Sequence, residues 1–235
     1  MALQDFLTLI AAKIQDTAGK LTGDRILEAL QAAIDEYSTV MPRHKTQTIT
    51  GDAVTVTFAL ATGFEENFSK VERIEYPVGR QEPEYLDETD YLLYRDPTTG
   101  LLKLRLTTMV LSVGATAYLA YTQRHHVQSG PPVGETVADT VPLKHRDAVA
   151  TLAASHAAVM LAMVYAQSSD PTIGADSVDH GTKSTDYLAL AKELRLSYGR
   201  RMGATDGIIA ASATGDLDVD IQGGIDRFFH PRRER

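Results

Sequence analysis

The chain reads as an α+β protein: a bundle built from N- and C-terminal helices, an antiparallel β-sheet or small sandwich inserted between them, and an extended C-terminal arm. Three observations predict this. Apolar residues recur at three-and-four spacing near both ends, the period drops to two from about residue 46, and the chain from Gly199 onward has no helical stripe but holds six glycines from Gly199 to Gly224.

The first stripe is Leu3, Phe6, Leu7, Ile10 and Ile14, a helix from about residue 2 to 18 that Gly19 ends. Thr22-Gly-Asp24 is a helix start, and Ile26, Leu27, Leu30, Ile34 and Tyr37 carry the same stripe along a second helix that stops before Pro42. Two helices this short form no core alone. In TQTITGDAVTVTFAL the alternation places Val54, Val56 and Phe58 on one face and threonines on the other, with Gly51-Asp52 as a hairpin turn. Further strands are expected at 70–77 (KVERIEYP), at 101–107 (LLKLRLT) after the turn DPTTG, and at 115–123 (ATAYLAYTQ) after Gly114. The Pro/Gly-rich stretch 128–142 closes the β region.

Ala148 to Ala166 is a run of 19 residues without a formal charge, eight of them alanine, which is long enough to span a bilayer. Ser155, His156 and Gln167 lie in or beside it and KHRD precedes it, so the sequence favours a buried helix whose small side chains let neighbouring helices approach closely. Tyr187, Leu190, Ala191, Leu194 and Tyr198 mark a last helix from about 183 to 199. The expected divisions are therefore 1–45 for the N-terminal helices, 46–142 for the inserted β region, 143–199 for the C-terminal helices packing on the first pair, and 200–235 for the arm. No internal repeat is visible.

Composition narrows the function. A chain of 235 residues with 43% hydrophobic and 23% charged residues can bury roughly 70 to 75% of its unfolded surface without metal or disulfide staples. The absence of cysteine excludes thiolate nucleophiles, disulfides and iron–sulfur ligation. The net charge is −8, yet the last nine residues, RFFHPRRER, carry +3 and leave −11 for residues 1–226. A general nucleic-acid binder spreads basic charge over its fold, so this body repels DNA. The N-terminus, with Asp5 and no basic start, does not fit a secretory signal, and cytoplasmic synthesis is expected.

Enzyme signatures are missing. The segment from Gly174 to Gly181 with the following Thr-Lys-Ser has the wrong spacing for a phosphate-binding loop, and there is no G-x-S-x-G, H-E-x-x-H or G-x-G-x-x-G. Neither a catalytic residue, a cofactor site nor a metal site is assigned. Asp176, Asp179 and His180 are the best local metal-like cluster, but such Asp/Gly/Pro connections serve as turns and caps. His125 and His126 adjoin a strand end, where consecutive side chains point to opposite faces. His156 is expected as a hydrogen-bonded core or interface histidine. Tyr76, Tyr85, Tyr91, Tyr94, Tyr118 and Tyr121 are read as sheet packing, with a glycan- or peptide-binding face as the alternative function of a soluble β-sheet module. A third, weaker reading is a metal hydrolase at Asp176, Asp179 and His180.

The arm carries its own chemistry. DLDVDIQ alternates Leu217, Val219 and Ile221 with aspartates, the pattern of a strand with one buried face, and Ile225, Phe228 and Phe229 are anchoring material where a terminus is ordinarily polar.

The order of these elements resembles the head–tail connector (adaptor, neck) proteins of tailed bacteriophages. The likeness rests on the paired helices ending in EYSTVMP (36–42), the inserted strands with KVERIEYP, TVPLKHRDAVATLAASHAAVMLA (140–162), DYLALAKELRLSYG (186–199) and the C-terminal arm. It implies a virion structural protein made in the host cytoplasm: a homo-oligomeric ring, twelvefold in the family, beneath the portal protein, with a stopper or tail protein on its other face. DNA passes through such a ring without sequence-specific binding, and no membrane is involved. By position, the portal-docking residues would be Leu217, Val219, Ile221, Ile225, Arg227, Phe228, Phe229, Arg232, Arg233 and Arg235. Ordering the eleven residues 225–235 costs about 1 to 2 kcal/mol each, against roughly 1.5 to 3 kcal/mol for each buried apolar side chain. A single arm thus binds weakly, and repetition around a ring makes the contacts effectively intramolecular.

Overall fold

The computed structural model describes residues 3–16, 18–130, 137–167 and 180–203, with only the backbone of 180–182. Among the described residues are four α-helices and two three-stranded antiparallel sheets, an α+β architecture with the strands inserted between two pairs of helices.

Helix α1 (Leu3–Ile14) buries Phe6, Ile10 and Ile14 at four-residue spacing. It ends four residues earlier than its stripe suggests. Gln15 adopts a left-handed φ of 53°, and the Asp16 carboxylate accepts from the backbone N–H of Ala18 and Leu21 at 3.1 and 2.7 Å, a local alternative to helical hydrogen bonding. Helix α2 (Gly23–Val40) starts as expected, with Thr22 as N-cap accepting from the Arg25 N–H, and buries Ala29, Leu30, Ala33, Ile34, Tyr37 and Ser38.

A 3-10 turn (Leu143–His145) leads into α3 (Arg146–Gln167), whose buried residues run from Ala148 to Tyr165 around most of its circumference. It is long and apolar enough to cross a membrane by length and composition, and 72% of its most apolar window is buried inside the protein. The reason is its position: α1, α2 and α4 (His180–Arg201) all pack on it, and seven alanines, from Ala148 to Ala162, give them close approach. Helix α4 runs antiparallel to α3. Ser184 donates to the Ala162 carbonyl, Tyr187 stacks on Tyr165 with ring centroids 5.6 Å apart, and Arg201 meets Asp147 at the far end. Lys13 of α1 reaches the same carboxylate at 2.9 Å. The inward residues Ser184, Tyr187, Ala191, Leu194 and Tyr198 follow a 3-4-3-4 spacing, a coiled-coil-like seam.

The strands are β1 (Arg43–Thr50), β2 (Thr57–Ala59), β3 (Val71–Glu75), β4 (Tyr91–Arg95), β5 (Leu102–Leu106) and β6 (Thr116–Gln123). One sheet has the order β1-β6-β3, the other β2-β5-β4. Ile49, Ile74, Ala117, Leu119 and Tyr121 from the first and Leu104 and Leu106 from the second share one buried cluster with Leu111, making a small sandwich with a core separate from that of the helices.

Gly51-Asp52 is not a hairpin turn, because β1 and β2 belong to different sheets. The Gly51 N–H donates to Ala115 O, its carbonyl accepts from Gly114, and a Cβ there would lie 2.4 Å from Leu111 Cβ, so this glycine lets the chain cross between sheets against the 111–115 segment. Asp52 then holds the chain in an Asx turn, accepting from the N–H groups of Val54 and Thr55 and from the Thr55 hydroxyl. Val54 is consequently 81% exposed rather than sharing an inner face with Val56 and Phe58. Strand β4, unread in the sequence, pairs with β5 across the expected DPTTG turn, where Asp96 accepts from Thr98 N–H, the Thr99 hydroxyl and Lys103 Nζ.

Candidate functional site

In the run Asp35 to Ser38 of α2, Asp35, Tyr37 and Ser38 reach the segment that follows β6, and Glu36 ties α2 to α3 and α4 within the bundle. Successive helical side chains are about 100° apart, so a run of four looks in every direction around the axis. Between them the four meet five residues outside α2, His125 being shared by Tyr37 and Ser38. Asp35 receives Arg124, just beyond β6, at 2.9 Å. Glu36 binds His156 of α3 at 3.2 Å and Arg195 of α4 at 2.5 Å. The Tyr37 hydroxyl lies 2.6 Å from His145 Nδ1 in the 3-10 turn, and its ring packs against His125 at 5.1 Å. The Ser38 hydroxyl accepts from the His125 N–H at 3.0 Å and donates to Ile34 O at 2.6 Å.

Burial sets the electrostatics of this hub. The Tyr37 phenol is pushed up to about 12 by desolvation, with Tyr198 adding to it. Tyr198 is likewise pushed up to about 12, by burial and then by the Glu36 carboxylate. Neither phenol ionises near neutrality: Tyr37 serves as a packing and hydrogen-bonding group, whereas Tyr198 contributes packing, its buried hydroxyl having no hydrogen-bond partner among the described residues. Desolvation also lowers His125, opposed by its Nδ1–H bond to Thr140 O at 2.8 Å and assisted by Arg43 and His126. His145 is lowered by burial and by Lys144.

These imidazoles give the hub a pH sign. Their folded pKa values lie below the ordinary 6.5, so as pH falls the unfolded chain takes up protons first. Their contribution is intact above about pH 6.5 and is lost on acidification below it. The melting temperature is expected to be lower at about pH 5.5 than at about pH 7.5. An unchanged or higher value at the acid pH would contradict the burial assigned to the two rings.

Elsewhere the residues singled out in the sequence are dispersed. His126 points away from His125, with its Nε2 on Val137 O at 3.0 Å. His156 is the helix-interface histidine its position suggests. Of the six tyrosines, Tyr121 is buried against Phe64, Tyr76 and Tyr91 pack on the sandwich core, Tyr94 is half-buried, and Tyr85 and Tyr118 remain exposed, Tyr85 beneath the Arg73 guanidinium. The two exposed ones both pair in register with Glu75 and so share one side of the first sheet, while the other four are buried or half-buried. Among the described residues no group of three or more His, Asp or Glu is placed to hold a metal ion. Asp176 and Asp179, the side chain of His180, and the whole set Leu217, Val219, Ile221, Ile225, Arg227, Phe228, Phe229, Arg232, Arg233 and Arg235 lie outside the described residues.

The hub has no signature of a site in the sequence, although EYSTVMP contains three of its four residues, because its partners are distant in the chain. A tyrosine closing an apolar stripe directly after two acids was the available signal.

The fold and hub thus define an α+β body with two cores and one polar joint. No family model matches the chain, and no curated protein matches it. Among solved structures it is similar to a chain of "Neck of empty GTA particle computed with C6 symmetry", at 15% identity over 74% of this chain and 79% of that one, with a TM-score of 0.27.

Proposed function

We propose that the protein is a structural head–tail connector of a tailed, phage-like particle. It forms a ring beneath the portal, holds the portal through residues 217–235, and presents its other face to a stopper or tail protein. The observation that carries this reading is the Asp35–Ser38 hub. It ties a helical bundle and a sandwich, each with its own core, into one body, and a joint that transmits position between two partners needs such stiffness.

The sequence supports the rest. Aromatic and guanidinium groups, suited to bidentate pairing with acceptors on a partner, concentrate in 225–235, while residues 1–226 carry −11. If those acids line a lumen, DNA phosphates slide through it unheld.

Removing residues 224–235 tests the proposal. The shortened chain should keep its fold and melting temperature but lose attachment to portal-bearing heads; undiminished attachment would contradict it.

A further inference from the structure

The ladder of β2 and β5 ends in two unlike apolar features. At one end, the 51–55 turn and the 107–115 segment are tied together by the Ala53 N–H bond to Leu111 O at 2.9 Å and the Gly114 N–H bond to Gly51 O at 3.0 Å. Val54, Val110 and Val113, each within two residues of the Ala53–Leu111 bond, are 81%, 46% and 78% exposed. Gly51 jammed against Leu111 and the Asp52 Asx turn keep this knob stiff, so its valines face solvent by construction.

At the other end, at and beyond the Ala59–Lys103 pair, lies a groove of about 350 Å³ whose apolar lining is Ala59, Leu60, Ala61, Phe64, Leu101 and Leu102, with Thr62, Glu66 and Lys103 completing it. Leu101 on its rim is 64% exposed. The rim charges are already neutralised from within the subunit: Glu66 is paired with Arg95, and Lys103 with Asp96. The groove therefore suits an uncharged apolar occupant rather than the +3 terminus. On the knob, Asp52 is likewise engaged in its own turn.

We propose that the valine knob of one copy seats in the groove of the next. Because knob and groove sit at opposite ends of one ladder, the contact is head-to-tail and propagates around a ring. The occupant is a second copy of this chain. Three valines offer on the order of a few hundred Å² per copy, against about 800 Å² per partner in a stable pair. Free copies therefore meet through this contact weakly and transiently, enough to be trapped at high concentration, and it closes fully where many copies are held side by side. This deepens the ring reading and rests on it for closure alone.

The chain contains no cysteine, which makes the test clean. Val113→Cys and Leu101→Cys chains, both altered at exposed positions, are mixed at high concentration and mildly oxidised. Leu143→Cys, at a site 79% exposed and remote in sequence from both features, replaces Leu101→Cys in the control. The V113C–L101C pair should crosslink about tenfold faster than V113C–L143C, and the doubly substituted chain should give a ladder of oligomers. Adding Val54→Asp to the V113C chain should bring the rate down to the control. A rate equal to the control, or faster pairing of V113C with itself, would overturn the head-to-tail contact. Neither result depends on the portal: if crosslinking fails while residues 224–235 prove necessary for head attachment, the contact falls and the connector reading stands, and the reverse outcome separates them the other way.

Discussion

Replacing Tyr37 with alanine is expected to cost the protein about 3 to 5 kcal/mol, the range for deleting a large buried aromatic side chain. Tyr37 is 1% exposed, belongs to the helical core, touches His125 and His145 with its ring, and bonds His145 Nδ1 with its hydroxyl. The alanine variant loses the packing and the bond together. Tyr37→Phe removes the hydroxyl alone and should cost about 0.5 to 1.5 kcal/mol, the net worth of one hydrogen bond. Denaturant unfolding of both variants checks the ratio. The account also expects Tyr37→Ala to uncouple the two halves, so that bundle and sandwich unfold in separate steps where the parent unfolds in one. Equal, small losses for both substitutions would mean that the ring does not hold the joint.

The second large effect is expected at Ala154, fully buried on α3 where the surrounding helices crowd in. Ala154→Leu adds three carbons to a site built for one. Overpacking of this kind costs typically about 1 to 3 kcal/mol and more where neighbours cannot yield. The methyl-sized spacing along α3 and the three helices packed on it leave little room to yield. Thermal melting should fall by several degrees at least, with loss of the helical signal before the β signal. A melting temperature equal to the parent's would show that α3 is not the tightly enclosed element described.

What the sequence revealed and what it concealed divide along chain distance. Helix α2 was legible to its cap because Thr22 and the Ile26-to-Tyr37 stripe are local signals, and α3 was legible as a buried helix because alanine spacing implies close neighbours. Strands β3, β5 and β6 showed themselves by alternation. Strand β4, YLLYR, did not, since its residues do not alternate cleanly and its exposed Leu92 and Leu93 are adjacent. The hairpin expected at Gly51-Asp52 does not form, because a contact with Leu111, sixty positions on, decides which sheet the chain enters. The hub was the least legible feature. Ser38, Asp35, Tyr37 and Glu36 find partners 87, 89, 108 and 120 residues away, and Glu36 reaches Arg195 at 159, separations over which no local pattern speaks. The docking residues proposed from the arm, Leu217 through Arg235, rest on pattern and charge.

The central claim, a stiff two-core body attached to a portal by its C-terminal tip, is tested most directly by co-sedimentation with portal-bearing heads. Full-length chain and chain 1–223, matched in melting temperature, are compared at equal concentration. The account predicts saturable binding of the full-length chain in a fixed number of copies per head and none of the shortened one. Equal retention of the two chains would contradict it.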